Sequence, residues 1–164
     1  MDVILSIKPK YVDAILRGEK KYEFRKNIFK GKNINNIYIY CSSPVKRIVA
    51  TFKIKNIIED NPNNLWAKFK DSSGLNDKEF FSYFTDNGKG GFAIEIDNLE
   101  KLKNPIDPKE IIPGFVPPQS FCYIETPILP KGKIGAYRIN SRRCPRQASK
   151  NVKRTHQESL SNYL

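Results

Sequence analysis

The sequence predicts an α+β domain followed by a basic C-terminal extension, and three observations carry this reading. Apolar runs of strand length recur through the chain, among them Val3 to Ile7, Ile37 to Cys41, Val45 to Ile58, Phe92 to Ile96 and Phe121 to Ile124. Short helix signals stand between them, with their own start and stop residues. The charge is uneven: residues 1–125 hold 20 Lys+Arg against 16 Asp+Glu, net +4, whereas residues 126–164 hold 9 against 1, net +8. A chain of 164 residues, 39% hydrophobic, suffices for one domain with a sizeable core. The expected division is therefore 1–125 as the domain and 126–164 as a partly irregular extension.

Val3-Ile4-Leu5-Ser6-Ile7 reads as a buried strand. Pro9 then suits the first turn of a helix, Tyr11, Val12, Ile15 and Leu16 form its apolar stripe, and Gly18 is a natural C-terminal stop. Lys8 and Lys10 fall where the strand ends and the helix begins, so the amide groups and partial positive charge of the helix start can join them in holding a phosphate. In Tyr22-Glu23-Phe24-Arg25 the aromatic residues alternate with the charged ones. A strand sends alternate side chains to opposite faces, which puts Glu23 and Arg25 on one face about 7 Å apart and the two rings on the other. The Gly18 kink can swing Lys20 toward that charged face.

Lys26 to Lys32 is a basic loop with Ile28 and Phe29 as its apolar anchor. Ile37-Tyr38-Ile39-Tyr40-Cys41 has few polar positions and reads as a central strand covered on both sides; Ser42-Ser43-Pro44 is a turn. From Val45 to Ile58, Ile48, Ala50, Phe52 and Ile54 are expected to face the core and Val49, Thr51, Lys53 and Lys55 to face outward. Asn61-Pro62 opens a short helix whose face is Leu65, Trp66 and Phe69, with Trp66 expected in the core. Asn76 and Glu79 form a capping box ahead of Phe80, Phe81 and Phe84, which read as a core face rather than a stacking platform. Asn87 to Gly91 is a loop without the Lys-Ser/Thr of a phosphate-binding loop. After Phe92 to Ile96, the charged stretch Leu99 to Ile112, with Pro105 and Pro108, is expected to be a separate edge strand and a turn.

Three cysteines, Cys41, Cys122 and Cys144, are widely spaced and no secretory leader is recognised, which points to a reduced, cytoplasmic setting. The one histidine, His156, lies in the tail, and no zinc-ligand spacing exists, so neither a metal nor another cofactor is expected. No apolar run is long enough for a membrane-spanning helix. The basic tail suits an acidic partner, nucleic acid first among them.

The stretch Gly18 to Arg25 carries a further signal. Gly18, Lys20, Glu23 and Arg25 fall at the spacing G-x-K-x-x-E-x-R directly after a strand and helix. There the chain resembles the ASCH domain, a branch of the PUA-like superfamily, from about Val3 to Glu125. The segment Gly114 to Phe121 also resembles the closing strand of one ASCH subgroup. The resemblance implies a small β-barrel flanked by short helices, with a cleft lined by the signature. Some ASCH proteins look like acetylcytidine amidohydrolases and others are reported as ribonucleases. In the amidohydrolase type a lysine, a threonine and a distant glutamate act together; Lys20 matches that lysine, but Glu23 stands where the threonine would, which weighs against this activity.

Two classes of function remain. The first is an RNA- or nucleotide-binding module serving RNA metabolism or transcription-linked regulation, with DNA as another partner to test. Its candidate binding residues are Lys8, Lys20, Glu23, Arg25, Tyr40 and Ser42. Arginine offers a planar fork for phosphate or guanine, glutamate accepts from amines and repels phosphate, and exposed rings among Tyr22, Tyr38, Tyr40 and Trp66 would stack bases. The second class is a small hydrolase of a modified nucleoside or of RNA, with Lys20 and Glu23 as candidate acid–base groups. The competing structural reading is that Glu23 pairs with Arg25 or Lys20 on a sheet face. The oligomeric state is not legible.

Overall fold

In the computed structural model, which describes residues 1–30, 33–84 and 90–125, the apolar runs become six strands of one mixed sheet. The elements are β1 (Asp2–Ile7), α1 (Pro9–Leu16), β2 (Tyr22–Arg25), β3 (Ile37–Cys41), β4 (Arg47–Asp60), α2 (Pro62–Phe69), a 3₁₀ turn (Lys70–Ser72), α3 (Asp77–Phe84), β5 (Gly91–Ile106), α4 (Pro108–Ile111) and β6 (Phe121–Ile124). The spatial order is β2-β5-β4-β3-β1-β6. β1 and β3 run parallel, joined through the α1–β2 excursion, and the other neighbours are antiparallel. The sheet curls into a half-barrel. The extension 126–164, with Cys144 and His156, lies outside the described residues.

Local chemistry sets the element ends. Gly18 adopts a φ of 76°, and its N–H bonds the Ile15 carbonyl at 2.9 Å, closing α1. Asn61 accepts from the Asn64 N–H at 2.9 Å at the start of α2. Asn76 and Glu79 form the reciprocal capping box, with bonds of 2.9 and 3.2 Å.

The sheet is covered on both faces. Val3, Leu5, Ile7, Ile37 and Ile39 pack with Val12 and Ile15 of α1, while Ile4, Tyr38, Tyr40 and Ile124 pack on the opposite side with Ile112 and Phe115. Each fully buried apolar side chain contributes about 1.5–3 kcal/mol, so the continuous burial of β3 explains its lack of polar alternation. A third cluster joins Phe24 of β2 to Leu65, Phe80 and Phe84. Trp66 is half-buried against Phe80, their centroids 4.8 Å apart.

Two expectations change. The pairing of β4 shifts between Ile48 and Ala50, so Ile48 joins the far cluster while Ala50 and Phe52 stay with the α1 side; Thr51 is buried as well. Leu99 to Ile106 is not a separate strand but the second half of β5. Asn98, at φ 45°, lets the chain bend without breaking the ladder, and three register shifts against β4 absorb the twist. That half pairs with β4, and the first half lies between β2 and β4.

Candidate functional site

The short strand β2 carries two opposite environments on alternate residues. Tyr22 stacks on Phe69 with centroids 4.2 Å apart, and Phe24 meets Phe80 edge-on at 5.0 Å. Glu23 and Arg25 face the other way, into a wide cleft of about 1840 Å³. Their side chains are joined there, Glu23 Oε1 to Arg25 Nη2 at 2.9 Å, and Lys20 Nζ reaches Glu23 Oε2 at 3.5 Å. All three are buried, at 3% exposure for Lys20, 6% for Glu23 and 7% for Arg25. They line the cleft as its packed wall rather than standing free within it.

Each end of this ion-pair chain is anchored in another element. Lys20 Nζ donates to the Ser73 carbonyl at 3.0 Å and lies 4.9 Å from the Phe24 ring centroid. Burial pushes the Lys20 ammonium below its ordinary range, against the opposing pull of Glu23. Ser73 is fully buried, and its hydroxyl donates to the Lys70 carbonyl at 2.7 Å. Arg25 Nη2 donates to the Ser6 carbonyl at 2.7 Å, and Nη1 makes longer approaches of 3.4 and 3.5 Å to the Ser120 hydroxyl and carbonyl. Ser6 belongs to β1 and Ser120 precedes β6, while β2 is the opposite edge strand. Arg25 therefore stitches the two edges of the curled sheet across the seam. Its Nε is buried with no hydrogen-bond partner among the described residues.

The six residues singled out from sequence, Lys8, Lys20, Glu23, Arg25, Tyr40 and Ser42, all line this one cleft. Lys8 is exposed at the start of α1, where its carbonyl accepts from the Tyr11 and Val12 amides. Tyr40 is buried to 3%, and desolvation followed by the nearby Asp107 charge pushes its phenol up. Ser42 lies in the turn after β3. The cleft also gathers Ser6, Lys26, Lys30, Lys46, Arg47, Tyr83, Lys109 and Ser120, which sequence reasoning left unassigned. Ser6 had a signal, as the one polar residue in an apolar strand. Lys46 had none, although it adopts a φ of 53°, rare for a residue with a side chain. Eight Lys/Arg against three Asp/Glu make the lining strongly cationic. Among the described residues no cluster of three or more His, Cys, Asp or Glu has metal-site geometry, and no helix is long and apolar enough to cross a membrane.

Residues 1–115 match the family described as Domain of unknown function (DUF365). The chain belongs to that family, and its fold is that of ASCH domains. A curated relative, the ASCH domain-containing ribonuclease of Zymomonas mobilis, is 28% identical over 130 residues, 75% of this chain and 84% of the relative. The crystal structure of ASCH from Zymomonas mobilis superposes with a TM-score of 0.67 at 28% identity, covering 73% of this chain and 85% of that one. A mutant form of the same protein gives 0.67 at 27% identity, with 73% and 87% covered. The family match covers β1, the Gly18–Arg25 signature and most of the cleft lining, while the lining residues Pro117 to Phe121 and Tyr123 fall beyond it.

Proposed function

We propose that this ASCH domain binds RNA in the cleft walled by Lys20, Glu23 and Arg25. The observation that carries the reading is the cleft's charge layout: a wide, cationic trough with one buried carboxylate in its wall. Small-molecule pockets run to about 300–1000 Å³, and this cleft, at about 1840 Å³, has room for a polymer segment. Lys8, Lys30, Lys46 and Lys109 are exposed along it and suit phosphates as point charges. Glu23 repels phosphate, which favours sugar and base groups toward the wall and phosphates toward the rim. The Zymomonas mobilis relative, named a ribonuclease, supports RNA as the polymer. The tail, net +8 over residues 126–164, would add sequence-independent attraction.

Fluorescence anisotropy with a labelled single-stranded RNA across a salt series tests this. Wild type should bind more weakly as salt rises, and the double variant Lys8→Ala/Lys46→Ala should flatten the log–log slope by about 0.7 per phosphate contact removed. No binding at low salt, or an unchanged slope, would count against the cleft. A second reading, cleavage of the bound RNA, draws on the relative's name and on Lys20, whose desolvated amine gives up its proton more readily than a surface lysine. Intact RNA after long incubation with wild type would remove that reading and leave binding standing.

A further inference from the structure

Among the described residues, four large apolar side chains are well exposed: Val116 at 65%, Val45 and Ile57 at 42%, and Tyr83 at 41%. Of these, Tyr83 lines the cleft. An exposed ring in a cationic trough fits a ligand that is anionic along its length and carries flat apolar faces. The Tyr83 ring is held in place. Its hydroxyl accepts the Lys26 N–H at 3.3 Å, and Phe84 packs edge-on with centroids 5.0 Å apart. Desolvation raises the phenol against the opposing charge of Arg25, although the residue as a whole stays exposed. The Lys26 ammonium stands 5.4 Å from the ring centroid, and Lys30 lies on the same loop.

Resting on the RNA reading above, we infer that Tyr83 is a stacking platform for an unpaired base, so that the cleft takes single-stranded RNA and rejects duplex. A paired base has both faces covered by its neighbours and offers none to a ring at the cleft mouth. A preset ring loses little conformational freedom on binding, so most of the stacking energy goes into affinity. Lys26 and Lys30 would then meet the phosphates on either side of the stacked base.

The experiment measures binding of one RNA oligonucleotide, single-stranded and annealed to its complement, by wild type, Tyr83→Phe and Tyr83→Ala. The single strand should bind more tightly than the duplex, Tyr83→Phe should match wild type, and Tyr83→Ala should lose about 5- to 150-fold. As a readout that needs no variant, 2-aminopurine in the strand should be quenched when wild type binds. Duplex bound as tightly as single strand, a Tyr83→Ala variant within twofold of wild type, or unquenched 2-aminopurine would each overturn the inference while leaving RNA binding intact. Wild type that binds no RNA at all would overturn the RNA reading, and the inference with it.

Discussion

Two sets of ion pairs in this molecule have similar geometry and opposite surroundings. In the cleft wall, Arg25–Glu23 spans 2.9 Å with side chains 9% exposed, and Lys20 adds a third charge at 3.5 Å. On the paired strands β4 and β5, Lys55–Glu95 also spans 2.9 Å, but its lysine is 59% exposed; Lys68 of α2 meets Asp60 at 2.8 Å and is 54% exposed. Water already solvates these surface charges, so removing one partner leaves the other comfortable. In the wall, a charge stripped of its partner has no water to turn to. Distance therefore says little about what such a pair does for the fold; burial decides it.

The sharpest way to break this contrast is Glu23→Gln. It leaves Lys20 and Arg25 facing each other without a counter-charge and should cost about 3–5 kcal/mol in urea unfolding. A loss no larger than that of a surface substitution would mean that the wall is wet. Next comes Gly74→Ala. Gly74 has a φ of 64°, and a Cβ there would lie 2.9 Å from the Lys20 Cβ. Backbone strain and displacement of Lys20 should together cost about 1–3 kcal/mol in urea unfolding, and a cost near zero would mean that Lys20 has room to move. Burial also holds the Lys20 ammonium below its ordinary value: the penalty is full while Lys20 is protonated and fades as pH rises through its folded value toward the ordinary 10.5.

On the exposed side the effects shrink. Lys68, Asn64 and the Asn61 amide hold the Asp60 carboxyl down at about 2, below the ordinary 3.8. Its contribution is therefore complete above the ordinary value and is lost as pH falls through about 2. An NMR titration of the Asp60 carboxyl should give a midpoint near 2; one near 3.8 would mean that this network is open in solution. Smallest of all, Lys55→Ala should leave the urea midpoint unchanged within error, and a clear shift would erase the distinction between the two sets.

Local signals were legible wherever one residue and its near neighbours decide the outcome. Asn61 and Asn76 capped the helices they were expected to cap, and Gly18 ended α1. The alternation in Tyr22 to Arg25 separated the aromatic face from the charged one. What failed were features set by pairing. The charged stretch from Leu99 reads as a separate strand, yet β5 runs on to Ile106 because β4 supplies a partner along both halves. Ile48 changes face because the ladder shifts beside it, and no periodicity in the sequence records a shift on the neighbouring strand. The charges of the wall were visible, but their burial was not, since it is imposed by Ser73 and Ser6, 53 and 19 residues away in the chain.

The amino-acid order alone determined which side of β2 would be charged, where the helices begin, and that a lysine, a glutamate and an arginine would fall close together. Only the folded chain decided that they would be dry and locked. The carbonyls of Ser73 and Ser6, which hold Lys20 and Arg25, arrive from separate elements, and a carbonyl is common to every residue. Side-chain chemistry is written in the sequence; the company a backbone atom keeps is written only in the closure of the sheet.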